Sequence, residues 1–224
     1  MNIPNEILKI IAVLEKAGFK AYLVGGCVRD LFLNKKPKDW DITTNAKPEE
    51  IENIFTKAKY KTFYENKFGT VSVVTDSEEE TLQTVEITPF RKEEKYSDKR
   101  HPDSVSFSAS LEEDLARRDF TINSIALEFP ISNFQFPNKS KIPNLKQQTY
   151  EIIDLFGGKE DLKNKIIRAV GKPAERFDED ALRIMRAFRF SAEQGFVIEP
   201  ETKKAMKEKA ELLQMIAKER IREE

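Results

Sequence analysis

A short apolar run, Ala21-Tyr22-Leu23-Val24, leads directly into Gly25-Gly26, and after a brief helical stretch the chain alternates Asp39-Trp40-Asp41-Ile42. No other feature of the sequence restricts the fold as strongly. Paired glycines at the end of a buried strand let the backbone turn sharply and approach a ligand, with the N–H groups of the next helix facing an anion. The alternation of acid and hydrophobe has the period of a strand, which predicts Asp39 and Asp41 on one face and Trp40 and Ile42 on the other. Two carboxylates projecting the same way suit a hard cation such as Mg²⁺, which takes oxygen ligands. Taken singly, Gly25-Gly26 reads as a tight turn and Asp39-x-Asp41 as a solvated strand face. Their succession along the chain is what is specific.

The flanking patterns extend this into an α/β fold. Ile7, Leu8, Ile11 and Leu14 recur at helical spacing, and Gly18 is placed to end that helix. A short helix is predicted from about Cys27 to Leu33, and another headed by Pro48 and running through Phe55. Residues 71–74 and 84–88 read as strands. The charged stretch 91–104, with Tyr96, His101 and Pro102, lacks periodicity and reads as a mobile loop. Ser110 followed by Glu113 forms a capping-box pattern opening a helix through Arg118. Residues 130–147, rich in Pro, Asn and Lys, read as a surface insertion. From Phe177 the pattern is helical, with Ala181, Met185, Phe188 and Ala192 expected on one apolar face. A catalytic head with a mixed sheet flanked by helices is therefore expected over 1–172, followed by an all-helical neck over 173–224.

Composition narrows the chemistry. The formal net charge of the 224 residues is −1, so an RNA partner would need a local basic surface. With one cysteine, Cys27, and one histidine, His101, neither an internal disulfide nor a zinc cluster is expected, and a metal would sit on carboxylates. Cys27 itself reads as a small packed residue. No apolar run approaches the roughly 20 residues of a membrane-spanning helix, and Met1-Asn2-Ile3-Pro4-Asn5-Glu6 lacks the features of a secretory signal. A cytoplasmic protein is expected. Nothing in the sequence specifies an oligomeric state.

Leu23-Val24-Gly25-Gly26-Cys27-Val28-Arg29-Asp30 followed by Lys38-Asp39-Trp40-Asp41-Ile42 resembles the head motif of the DNA polymerase beta nucleotidyltransferase superfamily, in particular class II CCA-adding enzymes and bacterial poly(A) polymerases. Three further blocks follow in family order. Arg117-Arg118-Asp119-Phe120-Thr121-Ile122-Asn123 is similar to the second motif, Asp154-Leu155-Phe156-Gly157-Gly158-Lys159-Glu160-Asp161-Leu162 to the hinge between head and neck, and Glu179-Asp180-Ala181-Leu182-Arg183 to the block that reads the incoming base. The resemblance implies that Asp39 and Asp41 hold Mg²⁺ with Glu86 as a third carboxylate. It also implies that Gly25, Gly26, Arg29, Arg117 and Arg118 bind triphosphate and that Asp119 and Asn123 contact ribose. Arg186 and Arg189 continue the basic side of the base-reading block and are expected to reach the triphosphate or the tRNA terminus, with solvated charges as the plain alternative. The substrates implied are CTP and ATP, added to a tRNA 3′ end. The loop around His101 resembles an element that helps switch the family from C to A.

The base-reading block also has a chemical argument of its own. Cytosine and adenine each present an exocyclic amine beside an unprotonated ring nitrogen, so a carboxylate acceptor next to a guanidinium donor matches either. Uracil and guanine reverse the order, leaving buried polar groups unpaired at a cost of about 1–3 kcal/mol each. Glu179, Asp180 and Arg183 at spacings of three and four are expected on one helical face; an ordinary helical ion pair is the plain alternative. The family neck continues into helical body and tail regions that clamp tRNA; these lie beyond the 224 residues, so weak tRNA affinity is expected. The rival readings are a poly(A) polymerase or terminal-A-adding enzyme, a non-catalytic RNA-binding module, and a small-molecule nucleotidyltransferase. The last leaves Arg117-Arg118-Asp119 and Glu179-Asp180-Arg183 unexplained.

Overall fold

The computed structural model describes residues 1, 3–64, 69–94, 104–107, 110–130 and 150–224. Tyr96, His101 and Pro102, and the insertion from 131 onward, lie outside the described residues. In chain order the elements are α1 (Asn5–Lys16), β1 (Ala21–Val24), α2 (Gly26–Phe32), β2 (Asp41–Thr44), α3 (Pro48–Lys57), β3 (Lys61–Tyr64), β4 (Val71–Val74), α4 (Glu80–Gln83), β5 (Thr84–Pro89), β6 (Lys92–Glu94) and β7 (Ser104–Ser106). There follow α5 (Leu111–Ala116), β8 (Ile125–Glu128), β9 (Glu151–Asp154), α6 (Gly158–Asn164), β10 (Ile166–Ile167), α7 (Pro173–Glu179), α8 (Leu182–Gln194), β11 (Val197–Ile198), α9 (Pro200–Glu208) and α10 (Lys218–Glu223). The chain divides into two compact units. The first comprises Met1–Phe90, Phe107–Leu111 and Ala126–Ile153, the second Arg91–Ser106, Glu112–Ile125 and Asp154–Glu224.

The first unit is built on a seven-stranded mixed sheet of order β3-β4-β5-β2-β1-β8-β9, in which β2 and β5 run parallel. All four residues of β1 are buried, as its unbroken apolar run requires of a central strand. β5 instead buries Val85 and Ile87 while exposing Thr84 and Glu86, the alternation of a strand with one covered face. α1 buries Ile7, Ile10, Ile11 and Leu14 and gives way at Ala17 to Gly18, whose φ of 92° belongs to the region favouring glycine. α3 starts at Pro48 and buries Ile51 and Phe55, each worth about 1.5–3 kcal/mol of apolar burial. Its preceding N–H, on Lys47, donates to Glu50 Oε2 at 2.7 Å.

The second unit is mainly helical around Phe120, Phe177, Ala187 and Phe190, with the Phe120 and Phe190 rings edge to face at 5.8 Å. It departs from the sequence expectations in several places. The neck is not wholly helical, because β11 pairs in parallel with β10. The ends of the stretch read as a loop, β6 and β7, pair antiparallel. The helix expected through Arg118 stops at Ala116. On α8 the buried face carries Arg183, Ala187 and Phe190, whereas Phe188 is 54% exposed and Ala192 is also exposed. Ala181 is buried with Met185 packed beside it, as expected, but Phe188 and Ala192 fall off the buried face, one of whose places is taken by an arginine. Among the described residues no helix is long and apolar enough to cross a membrane.

Candidate active site

The first unit gathers the predicted carboxylates around the β1–α2 turn and the β2·β5 junction. Gly25 adopts φ 83° and ψ −137°, which an L side chain rarely tolerates, so the turn out of β1 requires glycine there. Gly26 opens α2, and a Cβ built on it would lie 3.7 Å from Arg29 Nη2 and 3.9 Å from Asp39 Oδ1. The bare backbone thus faces a cation and an anion at contact distance. Arg29 is nearly buried, with Nε donating to Asp30 Oδ1 at 2.9 Å.

Asp41 begins β2 and lies in register with Glu86 on the parallel neighbour β5. In-register residues of adjacent strands share a face at a strand spacing of about 4.8 Å, so these carboxylates stand side by side. Glu86 N–H donates to Trp40 O at 3.2 Å, tying β5 to the segment ahead of β2. Asp39 precedes the strand instead of lying in it, and is brought to the site by its proximity to Gly26. Trp40 is buried between the two aspartates. Among the described residues no three His, Cys, Asp or Glu side chains already converge as a cation cage. The donor set is nevertheless entirely hard oxygen, and Mg²⁺ commonly takes one or two carboxylates with waters and substrate phosphates, so the residues fit that ion. Cys27 is not a candidate nucleophile, since burial first and the Asp41 charge second push its thiol well up and keep it protonated.

The second unit presents a densely paired set of arginines and acids. Asp114, fully buried, accepts from Arg117 Nε and Nη2 at 3.0 and 2.8 Å on Oδ1 and from Arg118 Nη2 at 3.2 Å on Oδ2. One carboxylate orients both arginines of the Arg117-Arg118-Asp119 block. Asp119 accepts from the Phe120 N–H and Asn123 Nδ2 on Oδ1, at 2.8 and 3.2 Å. On Oδ2 it takes Arg186 Nε and Nη2 at 2.8 and 2.6 Å. Burial acts to raise the Asp119 carboxyl, but Arg186, with further help from Arg183 and Asn123, holds it below the usual carboxylate range. The tight pair likewise pushes Arg186 further up. Arg189 donates to Glu224 Oε2 at 2.6 Å and stacks over the Phe190 ring at 4.5 Å.

Glu179, Asp180 and Arg183 come together without sharing one helix. α7 ends at Glu179, Asp180 is extended with φ −137°, and α8 begins at Leu182. Across this break Arg183 Nη1 still reaches Glu179 Oε2 at 2.9 Å. The Asp180 carboxylate turns to the start of α8, accepting the Leu182 N–H at 3.0 Å. Burial pushes the Asp180 carboxyl up, outweighing that hydrogen bond and the nearby charges of Arg183, Arg220 and Arg186. Asp114 and Arg176 were missed by sequence reasoning. Asp114 follows Glu112 and Glu113 and looks like one more acid in a helix's first turn; only its spacing of three and four to the arginine pair signalled a role.

Residues 21–168 match the family model described as the poly A polymerase head domain, and residues 195–224 the one described as a probable RNA and SrmB binding site of polymerase A. The chain is 45% identical to the CCA-adding enzyme of Lactobacillus helveticus over 100% of its own length and 50% of that protein. It is 48% identical to the CCA-adding enzyme of Streptococcus pneumoniae over 98% of its length and 49% of that protein. The chain therefore spans about half the length of these curated relatives. Among solved structures, the Bacillus stearothermophilus CCA-adding enzyme in complex with CTP is similar with a TM-score of 0.78 and 41% identity, covering 99% of this chain and 47% of that one. A tRNA nucleotidyltransferase complexed with a primer tRNA and an incoming ATP analog is similar with a TM-score of 0.69 and 29% identity, covering 95% of this chain and 53% of that one.

Proposed function

The chain belongs to the poly A polymerase head-domain family, and from that premise we propose that it carries the nucleotidyl-transfer site of a CCA-adding enzyme, joining CTP and ATP to the 3′ end of tRNA with release of pyrophosphate. The observation that carries the reading is the in-register pair Asp41 and Glu86, with Asp39 beside the bare backbone of Gly26 and the guanidinium of Arg29. In the reaction the tRNA 3′ hydroxyl attacks the α-phosphorus and the bond to the β-phosphate breaks. Mg²⁺, when bound, makes that hydroxyl a better nucleophile and neutralises the departing pyrophosphate. Asp39 and Asp41 hold the ion, and Glu86 adds a third negative oxygen donor alongside Asp41. Gly25 and Gly26 let the backbone approach the triphosphate and Arg29 balances its charge, while Arg117 and Arg118 are the phosphate-binding arginines of the second unit.

In the second unit Asp119 and Asn123 address the ribose, held in place by Arg186, while Asp180 and Arg183 read the base and Glu179 steadies Arg183. Arg189 belongs to the same basic side and addresses the tRNA terminus. Residues 1–172 act as head and 173–224 as neck, a division of roles supported by the separate family matches over 21–168 and 195–224. Cytoplasmic tRNA is the partner in this reading. CTP and ATP are favoured over repeated AMP addition because the relatives named above are CCA-adding enzymes.

The test is incubation of the purified chain with Mg²⁺, tRNA ending before CCA, and each NTP alone or CTP with ATP. Addition that stops at CCA supports the reading. Long A tracts would point to a poly(A) polymerase, and binding of RNA without addition to a non-catalytic module.

A further inference from the structure

At the C-terminal end of α5, two successive carbonyls each accept from a different arginine. Arg176 Nη1 donates to Ala116 O at 3.2 Å and Arg183 Nη2 to Arg117 O at 3.1 Å. The same two arginines meet on Glu179, with Arg176 Nη2 2.6 Å from Oε1 and Arg183 Nη1 2.9 Å from Oε2. The contacts close a ring that runs from one carbonyl through Arg176, Glu179 and Arg183 to the next carbonyl.

We propose that Arg176 is a positioning residue for base selection: by holding Glu179 against the end of α5 it fixes the guanidinium plane of Arg183. The proposal rests on the base-reading role given to Arg183 above. The helix break at Asp180 is what gives such a device its use, since Glu179 and Arg183 sit on different helices and no single helix sets one against the other. A guanidinium that must distinguish two hydrogen-bond patterns needs a fixed plane; that of Arg183 is set by Nη2 on the Arg117 carbonyl and Nη1 on Glu179, so it is fixed only as far as Glu179 is itself held. A solvated ion pair at this spacing contributes little. Here the side chains of Arg176 and Glu179 are 19% and 24% exposed, and the second arm of Arg176 is anchored on a distant part of the chain. Lysine cannot take its place, because only the planar fork serves Ala116 O and Glu179 together.

The test measures equilibrium binding of labelled CTP against unlabelled UTP on the purified chain, with inorganic triphosphate as a probe that has no base. Arg176→Lys is expected to lower the CTP-over-UTP preference by about tenfold and leave triphosphate binding unchanged, with an unaltered circular dichroism spectrum. Glu179→Gln is expected to show the same loss, and Arg176→Lys to add nothing in its background, because both act through one arm. Should Arg176→Lys fail to fold, Glu179→Gln alone reads the same arm. An intact preference in Glu179→Gln or Arg176→Lys, or losses that simply add, would overturn the proposal. A wild-type chain that binds CTP and UTP alike would overturn the base-reading role itself and this proposal with it, a failure visible before any substitution is made.

Discussion

The two units hold their charges in opposite ways. In the first, Asp39 and Glu86 are exposed and Asp41 is half-buried, with Asp41 and Glu86 in register on neighbouring strands and Asp39 just ahead of β2. In the second, Asp114 and Asp119 are buried and almost every lone pair is taken by a neighbouring arginine or amide. The contrast follows from what each is proposed to meet. A set of like charges becomes favourable only when a cation arrives, so it must stay hydrated until then. A reader of base identity has to be rigid before its ligand comes, because reorganisation would erase the energy difference between two similar bases.

The largest effect should come from breaking the first unit's charges. Asp39→Ala or Asp41→Ala is expected to lower nucleotide addition by about a thousandfold or more, with little change in thermal midpoint for the exposed Asp39. Gel analysis of product and a melting curve check this together. Next comes a pair of glycines. A Cβ at Gly158 would lie 2.1 Å from Thr121 O and 2.9 Å from Ile125 Cγ1, so Gly158→Ala should cost about 3 kcal/mol or more in urea unfolding. Gly26→Ala meets only ordinary contacts, so it should stay within about 1 kcal/mol of wild type and instead raise the nucleotide KM.

Arg186→Met isolates the buried pairing of the second unit. It leaves Asp119 without its main partner, and since the Arg186 side chain is 34% exposed a loss of about 2 kcal/mol at pH 7 is expected, below the roughly 3–5 kcal/mol of a fully buried pair. The Asp119 carboxyl is depressed in the folded state. Its stabilisation is therefore full above the ordinary carboxylate value near about pH 4 and is lost as pH falls through the folded value. Urea unfolding at pH 7 and at pH 3 should show wild type and variant converging in acid. The smallest effect concerns Asp180, whose carboxyl burial pushes up. Its contribution to stability runs the other way, full below the unfolded value and lost as pH rises through the folded one. A protonated Asp180 loses the charge that strengthens its acceptance from the exocyclic amine of cytosine or adenine and gains an O–H donor that can also serve uracil, so the CTP-over-UTP preference should fall by about tenfold as pH drops below the folded value. Asp180→Asn should be flat across the same range.

Local patterns made much of the first unit legible. β1, the glycine turn, the start of α3 and strands β4 and β5 all follow from apolar runs, Pro48 and simple alternation. β3 escaped notice because Lys61-Thr62-Phe63-Tyr64 buries none of its residues and therefore shows no alternation. In the second unit long-range pairing overrules local pattern. Arg183 reads as polar and is buried, which shifted the predicted face of α8, and nothing local signals the break at Asp180. Gly158, in the block read as a hinge, lies against the Thr121 carbonyl, a contact that no local pattern signals. Asp114 and Arg176 acquire their meaning only from groups that the fold brings to them.

In the proposed reaction, chemistry and base choice belong to different residues of the two units. The most direct measurement compares Asp39→Asn with Asp180→Asn in one experiment, reading both nucleotide addition to tRNA and the CTP-over-UTP binding ratio. Asp39→Asn is predicted to abolish addition and keep the ratio, and Asp180→Asn to keep adding nucleotides with the ratio erased. Equal damage to both readouts by either substitution, or a ratio that survives Asp180→Asn, would contradict it.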